Sequence, residues 1–372
     1  MLIHLTNGNQ RLTLHTRGAT IFGWDPGTGE SALDGYQSVP EFDRLDGHRN
    51  CLLIPWTNRV AHQEWNDDGT MRGVRELSPE GLHGFAFDVE FTVAGLLEDR
   101  VNHSSDVHLK GDHIELVATL EASEAFPGPI DVTVRYDISH EGVLRIGVSA
   151  RNTSERDIPL GLGWHPYFKV ASVRDARVWV PATHRIVVDD DGIPLPALRA
   201  FRPIKSDRKG DPLAATAANA VSKADGSEAL APPPAWLPES DVLHEINLHD
   251  ELDTAFTGLH NDEDARAHAY LDTGLGYGVE IAMGVGRTDT AGQGSVRSGT
   301  GSAEQPNRAA VPCRSNFHIF TGPDLARDPG LAIALEPCTV MPDMLNREEE
   351  KGRVSISSGD TRTLDVVVAI LH

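Results

Sequence analysis

One histidine and one glutamate of this chain lie in settings that suit proton transfer. His165 lies within residues 161–168, where glycine and aromatic residues surround an imidazole that precedes a proline. Glu336 follows the apolar run 331–335 and also precedes a proline, so a buried strand would deliver one carboxylate to its end. A glutamate with a pKa of about 4.3 is ionised at neutral pH, and a histidine with a pKa of about 6.5 can donate a proton. The two residue types therefore suit a base and an acid, although each alone is more often an ordinary loop, core or surface residue.

Three further segments place this pair in a wider pattern. Residues 55–60 read Pro-Trp-Thr-Asn-Arg-Val, residues 81–85 read Gly-Leu-His-Gly-Phe, and residues 252–259 read Leu-Asp-Thr-Ala-Phe-Thr-Gly-Leu. In order and spacing, the five segments resemble the motifs of the aldose 1-epimerase (galactose mutarotase) family. Its members carry, in this order, an Asn-Arg pair, a Leu-His-Gly, a His-Pro-Tyr-Phe-like motif, a Leu-Asp-x-x-Phe-Thr and a Glu-Pro-x-Thr-x-x-Pro-Asp motif. The resemblance covers most of the chain.

The resemblance implies an enzyme that interconverts the α and β anomers of a free hexose. That reaction removes a proton from the C1 hydroxyl, adds one to the ring oxygen, and recloses the open aldehyde on its other face. One base and one acid suffice, so we expect no metal and no other cofactor. By resemblance Glu336 is the base and His165 the acid. The implied substrate-binding residues are His83 near the ring oxygen, Arg59 as a donor to sugar hydroxyls, Asn58 on the same loop as Arg59, and Asp253 as an acceptor from the hydroxyls.

The aromatic residues beside His165 have two interpretations. Trp164, Tyr167 and Phe168 could form an apolar wall for the C–H face of a pyranose, or they could be core residues.

Composition excludes some partners. The chain has 372 residues and a formal net charge of −22, which repels nucleic acid and anionic membranes but not a neutral sugar. The three cysteines are widely spaced, and the amino terminus has no basic and apolar leader pattern, so we expect a cytoplasmic protein. We also expect a monomer or a homodimer, with a small sugar as its ligand.

Alternation of apolar and polar residues predicts an all-β protein. Apolar residues occupy every second position in residues 132–138 and again in residues 144–150, which predicts an antiparallel hairpin. At the carboxyl end, residues 353–356 and 364–371 predict a second hairpin, whose last strand is apolar enough to be buried on both faces. Helical turns are expected only near residues 238–240 and 323–326.

These patterns predict a single domain over residues 1–372. The resemblance makes the expected architecture specific, since it implies the antiparallel β-supersandwich of galactose mutarotase-like proteins. Residues 205–235 and 287–312 are poor in large apolar side chains, which indicates surface insertions. The second insertion would interrupt a strand pair between residues 279–283 and 316–320.

Two other functions remain open. One is hexose-6-phosphate 1-epimerase activity, which residues 83–86 suggest and for which Arg59, Arg72 and Arg75 could bind the phosphate. The other is a non-catalytic carbohydrate-binding protein, although binding alone needs no matched acid and base.

Overall fold

The computed structural model describes residues 1–78, 80–95, 106–204, 232–248, 251–288 and 314–372. Its amino-terminal strands are β1 Leu2–Asn7, β2 Gln10–His15, β3 Thr20–Asp25, β4 Leu52–Leu53, β5 Glu64–Asp67, β6 Thr70–Gly73, β7 Thr92–Val93, β8 Val107–Lys110 and β9 His113–Leu120. The middle strands are β10 Ile130–Asp137, β11 Val143–Asn152, β12 Ile158–Pro159, β13 Gly163–Trp164, β14 Tyr167–Lys169, β15 Arg177–Val180, β16 Ala182–Ile186 and β17 Phe201–Pro203. The remaining strands are β18 His244–Ile246, β19 Asp253–Leu259, β20 Arg266–Asp272, β21 Gly278–Thr288, β22 Asn316–Phe320, β23 Ala332–Cys338, β24 Ser355–Ile356 and β25 Thr361–Leu371.

Helical segments of the described residues are all short. The α-helices are α1 Val39–Phe42 and α2 Lys351–Val354. Single 3-10 turns span Asp46–His48, Ala61–Gln63, Ala86–Asp88, Ala197–Ala200 and Met344–Asn346. None of these helices is long and apolar enough to cross a membrane.

Two large sheets form the body of the molecule. One has nine strands in the order β18-β15-β20-β21-β25-β11-β10-β9-β7. The other has eight, in the order β17-β16-β19-β22-β23-β13-β4, with β14 also paired to β23. Side chains from both sheets, such as Val366 and Leu335, belong to one buried apolar cluster, so the predicted all-β sandwich is confirmed.

The predicted hairpin near the middle of the chain is confirmed in its register. Val134 pairs with Val148 and Tyr136 with Ile146. Burial alternates along β10 as the period of two requires, with the apolar side chains facing the core.

At the carboxyl end the predicted hairpin is wrong, and so is the prediction that its last strand is buried on both faces. Residues 351–354 form α2, and the short strand β24 pairs with β12 rather than with β25. Strand β25 alternates between buried and half-buried residues along most of its length, because only one of its faces packs against the core. No helix forms at residues 238–240 or 323–326, where the chain makes turns and irregular loops.

The two predicted insertions lie almost entirely outside the described residues. Their flanking strands are described, and they correct the predicted strand pair. Strand β21 pairs with β20 and β25, whereas β22 pairs with β19 and β23 in the other sheet. Residues 279–283 and 316–320 therefore belong to different sheets.

Candidate active site

The floor of the candidate site lies on neighbouring strands of the eight-stranded sheet. His318 on β22 is paired directly with Glu336 on β23. His165 lies in the connection between β13 and β14, both of which pair with β23, and the flanking pairs place it opposite Glu336 on the other side. Because neighbouring strands are about 4.8 Å apart, this register brings the three side chains together.

Within that row His165 and Glu336 are close enough to exchange a proton through a bound hydroxyl. The Nε2 atom of His165 is 3.4 Å from Oε1 of Glu336. Both residues are buried, with exposed fractions of 4% for His165 and 1% for Glu336. The sequence prediction put Glu336 at the end of a strand, but β23 continues to Cys338 and keeps the carboxylate inside the sheet.

A cavity of about 720 Å³ opens above this floor, a size typical of small-molecule sites. All six residues predicted from the sequence contribute to its lining: Asn58, Arg59, His83, His165, Asp253 and Glu336. His48, Tyr167 and His318 also line it, together with residues of the rim. The structure thus brings together residues that are up to 278 positions apart, from Asn58 to Glu336.

Two loops hold Asn58 and His83 against each other. The backbone N–H of Asn58 donates to Nδ1 of His83 at 3.2 Å, and the N–H of His83 donates to the carbonyl of Asn58 at 2.9 Å. Neutral His83 therefore carries its proton on Nε2, which makes that atom a donor. Gly84 adopts a φ of +72°, and a Cβ there would lie 2.0 Å from the carbonyl oxygen of Ile54, so only glycine fits this contact.

The last motif also anchors Arg59. Asp343 donates its backbone N–H to the carbonyl of Arg59 at 2.9 Å, and its carboxylate accepts from the N–H of Ala61 at 2.9 Å. The guanidinium of Arg59 reaches within 3.8 Å of Asp253. The Pro-Asp that follows Glu336 thus holds the loop that carries the Asn-Arg pair.

His318 is a site residue that the sequence reasoning missed, as is His48. The Nε2 atom of His318 is 2.6 Å from Oδ1 of Asp253, and the side chain is buried. The sequence treated residues 316–320 only as a strand. The available signal was a single histidine in the run Phe-His-Ile-Phe, which is otherwise apolar.

The aromatic residues separate into lining and core. Tyr167 lines the cavity and stacks on His165 with ring centroids 5.1 Å apart and planes 14° apart. Trp164 and Phe168 are fully buried in the main core, so the interpretation as core residues holds for these two.

Several buried polar atoms of the site have no hydrogen-bond partner among the described residues. They are Nδ1 of His165, Nδ1 of His318, Oε2 of Glu336 and the hydroxyl of Tyr167. Buried polar groups are nearly always paired, and each unpaired group costs about 1–3 kcal/mol. A cavity lined by such atoms suits a ligand that is rich in hydroxyl groups.

Burial moves the acid and base away from their ordinary titration ranges. Burial raises the pKa of Glu336 to about 8, the neighbouring Asp253 adds to that rise, and His318 opposes it. Burial also lowers the pKa of His165 well below its usual value, with His48 and His318 contributing. The expectation that both titrate near ordinary values is therefore wrong, since each is driven toward its neutral form.

Two more imidazoles of the cavity, those of His83 and His48, are also affected by burial. Burial lowers the pKa of His83 well below its usual value, and the nearby His48 lowers it further. Burial lowers the pKa of His48 to about 4. Their rings are 4.9 Å apart, so two adjacent neutral imidazoles lie beside the floor of the cavity.

The arginines that were proposed for a phosphate group lie elsewhere, except Arg59. Arg72 is paired with Asp67 at 2.8 Å, and Arg75 donates to the side chain of Gln63 at 2.8 Å. Neither residue lines the cavity. Its lining contains the cations Arg44 and Arg59 and the carboxylates Asp43, Asp46, Glu80, Asp253, Asp324 and Glu336.

Metal binding was not expected from the sequence. Across the described ranges, no three His, Cys, Asp or Glu side chains are grouped so that they could hold a metal ion.

Solved structures of similar fold cover this chain almost completely. A putative aldose 1-epimerase from Escherichia coli K12 has 16% identity and a TM-score of 0.63, and the match covers 100% of this chain and 98% of that one. A GalM/aldose epimerase homologue from C. elegans has 15% identity and a TM-score of 0.66, with 100% and 99% covered. The galactose 1-epimerase of Lactobacillus acidophilus NCFM has 14% identity and a TM-score of 0.61, with 99% and 93% covered. These similarities show the galactose mutarotase-like fold.

Sequence comparison gives the family. No curated protein matches the sequence. The family model described as aldose 1-epimerase matches residues 1–213, a region that contains Asn58, Arg59, His83 and His165. Since this match covers more than half of the 372 residues, the chain belongs to the aldose 1-epimerase family.

Proposed function

We propose that the protein interconverts the α and β anomers of a free hexose by general acid–base opening and reclosure of the ring. The observation that carries this proposal is the pair formed by His165 and Glu336, 3.4 Å apart on the floor of the cavity. Proton transfer at C1 needs two such groups within reach of the same substrate. Membership of the aldose 1-epimerase family supports the same class of isomerase reaction.

In the proposed mechanism Glu336 accepts the proton of the C1 hydroxyl while His165 donates a proton to the ring oxygen. The bond between C1 and the ring oxygen breaks, the aldehyde rotates about C1–C2, and the reverse transfers close the ring on its other face. The proton count is unchanged over the cycle, because the pair ends with the same single proton that it held at the start.

The shifted pKa values fit this scheme if the two residues are treated as one titrating unit. The raised pKa of Glu336 and the lowered pKa of His165 mean that the pair holds one proton near neutral pH. The reactive form, with ionised Glu336 and cationic His165, differs from the neutral form only in the position of that proton. No net charge has to enter the buried site.

The remaining predicted residues have roles in binding the sugar. Arg59 and the Nε2–H of neutral His83 are donors to sugar oxygens, and Asp253 is an acceptor at the mouth of the cavity, where its side chain is half exposed. Asn58 holds its loop by accepting from the N–H of Arg59 at 2.8 Å. Tyr167 offers an aromatic face beside His165.

The direct test follows the optical rotation of freshly dissolved α-glucose and α-galactose. We expect the wild-type protein to accelerate equilibration, and Glu336→Gln and His165→Asn each to lower the rate by about two to four orders of magnitude. Glu115→Gln, on β9 of the other sheet, is the matched control and should leave the rate unchanged. A Glu336→Gln protein that is as fast as wild type would refute the assignment of the base.

The same assay separates the binding alternative. A wild-type protein that binds the sugars, as measured by calorimetry, but never exceeds the spontaneous rate would be a carbohydrate-binding protein instead.

A further inference from the structure

His318 occupies the position in the site that the proposed mechanism has not used. It is the partner of Glu336 across the β22–β23 pair and is 5% exposed. Its Nε2 atom is held by Asp253 at 2.6 Å, while its Nδ1 atom has no partner in the described part of the chain. Burying a charged imidazole between two carboxyl groups costs desolvation free energy, which only its pairing with those groups can offset.

The side chains around His318 alternate in charge across the sheet. The guanidinium of Arg59 is 3.8 Å from one oxygen of Asp253, and His318 contacts the other oxygen. His318 is in turn adjacent to Glu336. Although burial acts against it, Glu336 and Asp253 raise the pKa of His318, which favours the imidazolium.

Other titratable groups contribute to the balance from the elements that pack against this row. The groups that face it are His165 and Tyr167 beside β23, His83 and His48 on the loops above, Arg59 at the mouth and Cys338 at the end of β23. Of these, His48, His83 and His165 have lowered pKa values, and burial raises the pKa values of the Tyr167 hydroxyl and the Cys338 thiol. Among the imidazoles of the cavity, His318 is therefore the one whose surroundings favour the cation.

We propose that His318, held as a cation by Asp253, is a positioning residue that favours the ionised form of Glu336 in the His165–Glu336 pair, the form that the mechanism needs. The expected change in rate rests on the proposed function, whereas the charge assigned to His318 and its effect on Glu336 do not. It also gives Asp253 a second role besides binding the sugar, because Asp253 fixes the ring and the charge of His318.

The distances from His318 to Glu336 and to His165 decide in which direction its charge moves the shared proton. A cation on His318 is one strand spacing, about 5 Å, from Glu336 and two strand spacings, about 10 Å, from the ring of His165. Coulomb energy falls with distance, so its attraction for an ionised Glu336 is about twice its repulsion of a protonated His165. The net effect moves the shared proton from Glu336 to His165, which is the direction that the mechanism needs.

The kinetic test uses His318→Gln, which removes the charge and keeps an amide that can donate to Asp253. We expect the alkaline, descending limb of kcat/KM against pH to move up by about one pH unit or more, because removing the neighbouring cation raises the pKa at which Glu336 loses the proton of the pair. At pH 7 kcat should fall by at least about ten-fold, because a smaller share of the singly protonated pair carries its proton on His165, while KM changes little. A role in packing alone would lower stability without moving the limb, and that result would overturn the proposal.

A histidine on the other sheet provides the matched control. His268 is also held by two carboxylates, Asp262 and Glu280, each at 2.7 Å, but it lies outside the cavity. His268→Gln should leave the pH profile unchanged. His318→Asn is the second variant if His318→Gln does not fold, and the same shift of the limb is expected.

A second measurement needs no turnover. In the ligand-free protein labelled with carbon-13 at the glutamate carboxyl carbon, the Glu336 signal, assigned with Glu336→Gln, should titrate about one unit or more higher in His318→Gln than in wild type. Nitrogen-15 spectra should show His318 doubly protonated at neutral pH in wild type and neutral in Asp253→Asn. An unchanged Glu336 midpoint, or a neutral His318 in wild type, would overturn the proposal even if the protein is an active epimerase. If the expected shifts appear but no sugar is turned over, the proposed function fails and the charge arrangement stands.

Discussion

Arg59 illustrates how a partly exposed side chain can still be positioned. Its backbone carbonyl is bonded by Asp343, and its guanidinium approaches Asp253 across the mouth of the cavity. A Cβ at Gly192 would lie 2.7 Å from Nε of Arg59, so the arginine packs closely over that backbone. These contacts limit the orientations open to a long and otherwise mobile side chain.

We predict that Arg59→Ala weakens substrate binding without much loss of chemistry. It removes a charged donor to a sugar hydroxyl, so KM should rise by about ten-fold while kcat stays within a few-fold of wild type. Initial rates over a range of sugar concentrations measure both constants. Arg75→Ala, on a residue bonded to Gln63 outside the cavity, is the control and should leave KM unchanged. An equal loss of kcat and kcat/KM in Arg59→Ala would instead place Arg59 in the chemical step.

Predicting His165 and Glu336 required a different kind of information from predicting His318. His165 and Glu336 stand in short motifs with prolines, and a motif can be read locally. The role of His318 depends on its pairing with Glu336 and on a contact with Asp253, 65 positions earlier in the chain. Register between distant strands is not encoded in any single segment, so the alternating pattern predicted a strand there and nothing more.

At the level of elements, the loops that carry Asn58 and His83 depend on one close backbone contact. Ile54 accepts hydrogen bonds from the N–H groups of Phe85 at 2.8 Å and Ala86 at 3.1 Å, and Gly84 lies against the same carbonyl. This contact ties the 81–85 loop to the chain that leads into Asn58. His83 can therefore take this position because its neighbour Gly84 has no side chain.

We predict that Gly84→Ala destabilises the protein and displaces His83. The backbone has a positive φ and the added Cβ would overlap Ile54, so the free energy of unfolding should fall by at least about 2 kcal/mol. Gly8→Ala is the matched control, since Gly8 also has a positive φ, of 58°, but a Cβ there meets nothing within 4 Å. Urea denaturation gives both values, and similar losses in the two variants would mean that strain in φ, rather than the contact, decides the cost.

The strands also show where the alternation of apolar and polar residues is enough to predict the structure. Strands β10 and β11 follow strict alternation, and both their existence and their register were predictable. Residues 279–283 and 316–320 alternate or are apolar as well, yet they lie in different sheets. Periodicity predicts a strand and its buried face, but the choice of partner strand depends on packing across the whole sandwich.

At the level of the whole molecule, charge distinguishes the two enzymatic alternatives. The formal net charge is −22, and six acidic side chains line the cavity against two arginines and the cation proposed for His318. A phosphate group would have to approach through this field, whereas a neutral sugar would not. The absence of Arg72 and Arg75 from the lining removes two of the three cations that the phosphate alternative relied on.

We predict that glucose is a better substrate than glucose 6-phosphate. The value of kcat/KM for glucose should change little with ionic strength, and any turnover of the phosphorylated sugar should increase as salt screens the repulsion. Both sugars can be compared at equal concentration by anomer-resolved NMR. A preference for glucose 6-phosphate that is weakened by salt and abolished by Arg44→Ala would favour the hexose-6-phosphate epimerase alternative.

The floor and the rim of the cavity come from different kinds of structure. His165, His318 and Glu336 lie on or between paired strands, whereas much of the rim comes from loops in residues 43–48 and 80–87. Strand positions are fixed by the sheet, and loops tolerate replacement more readily. For protein engineering, libraries restricted to these two loops, with His83 and Gly84 kept, can therefore vary the sugar that is accepted while the proton-transfer groups keep their spacing.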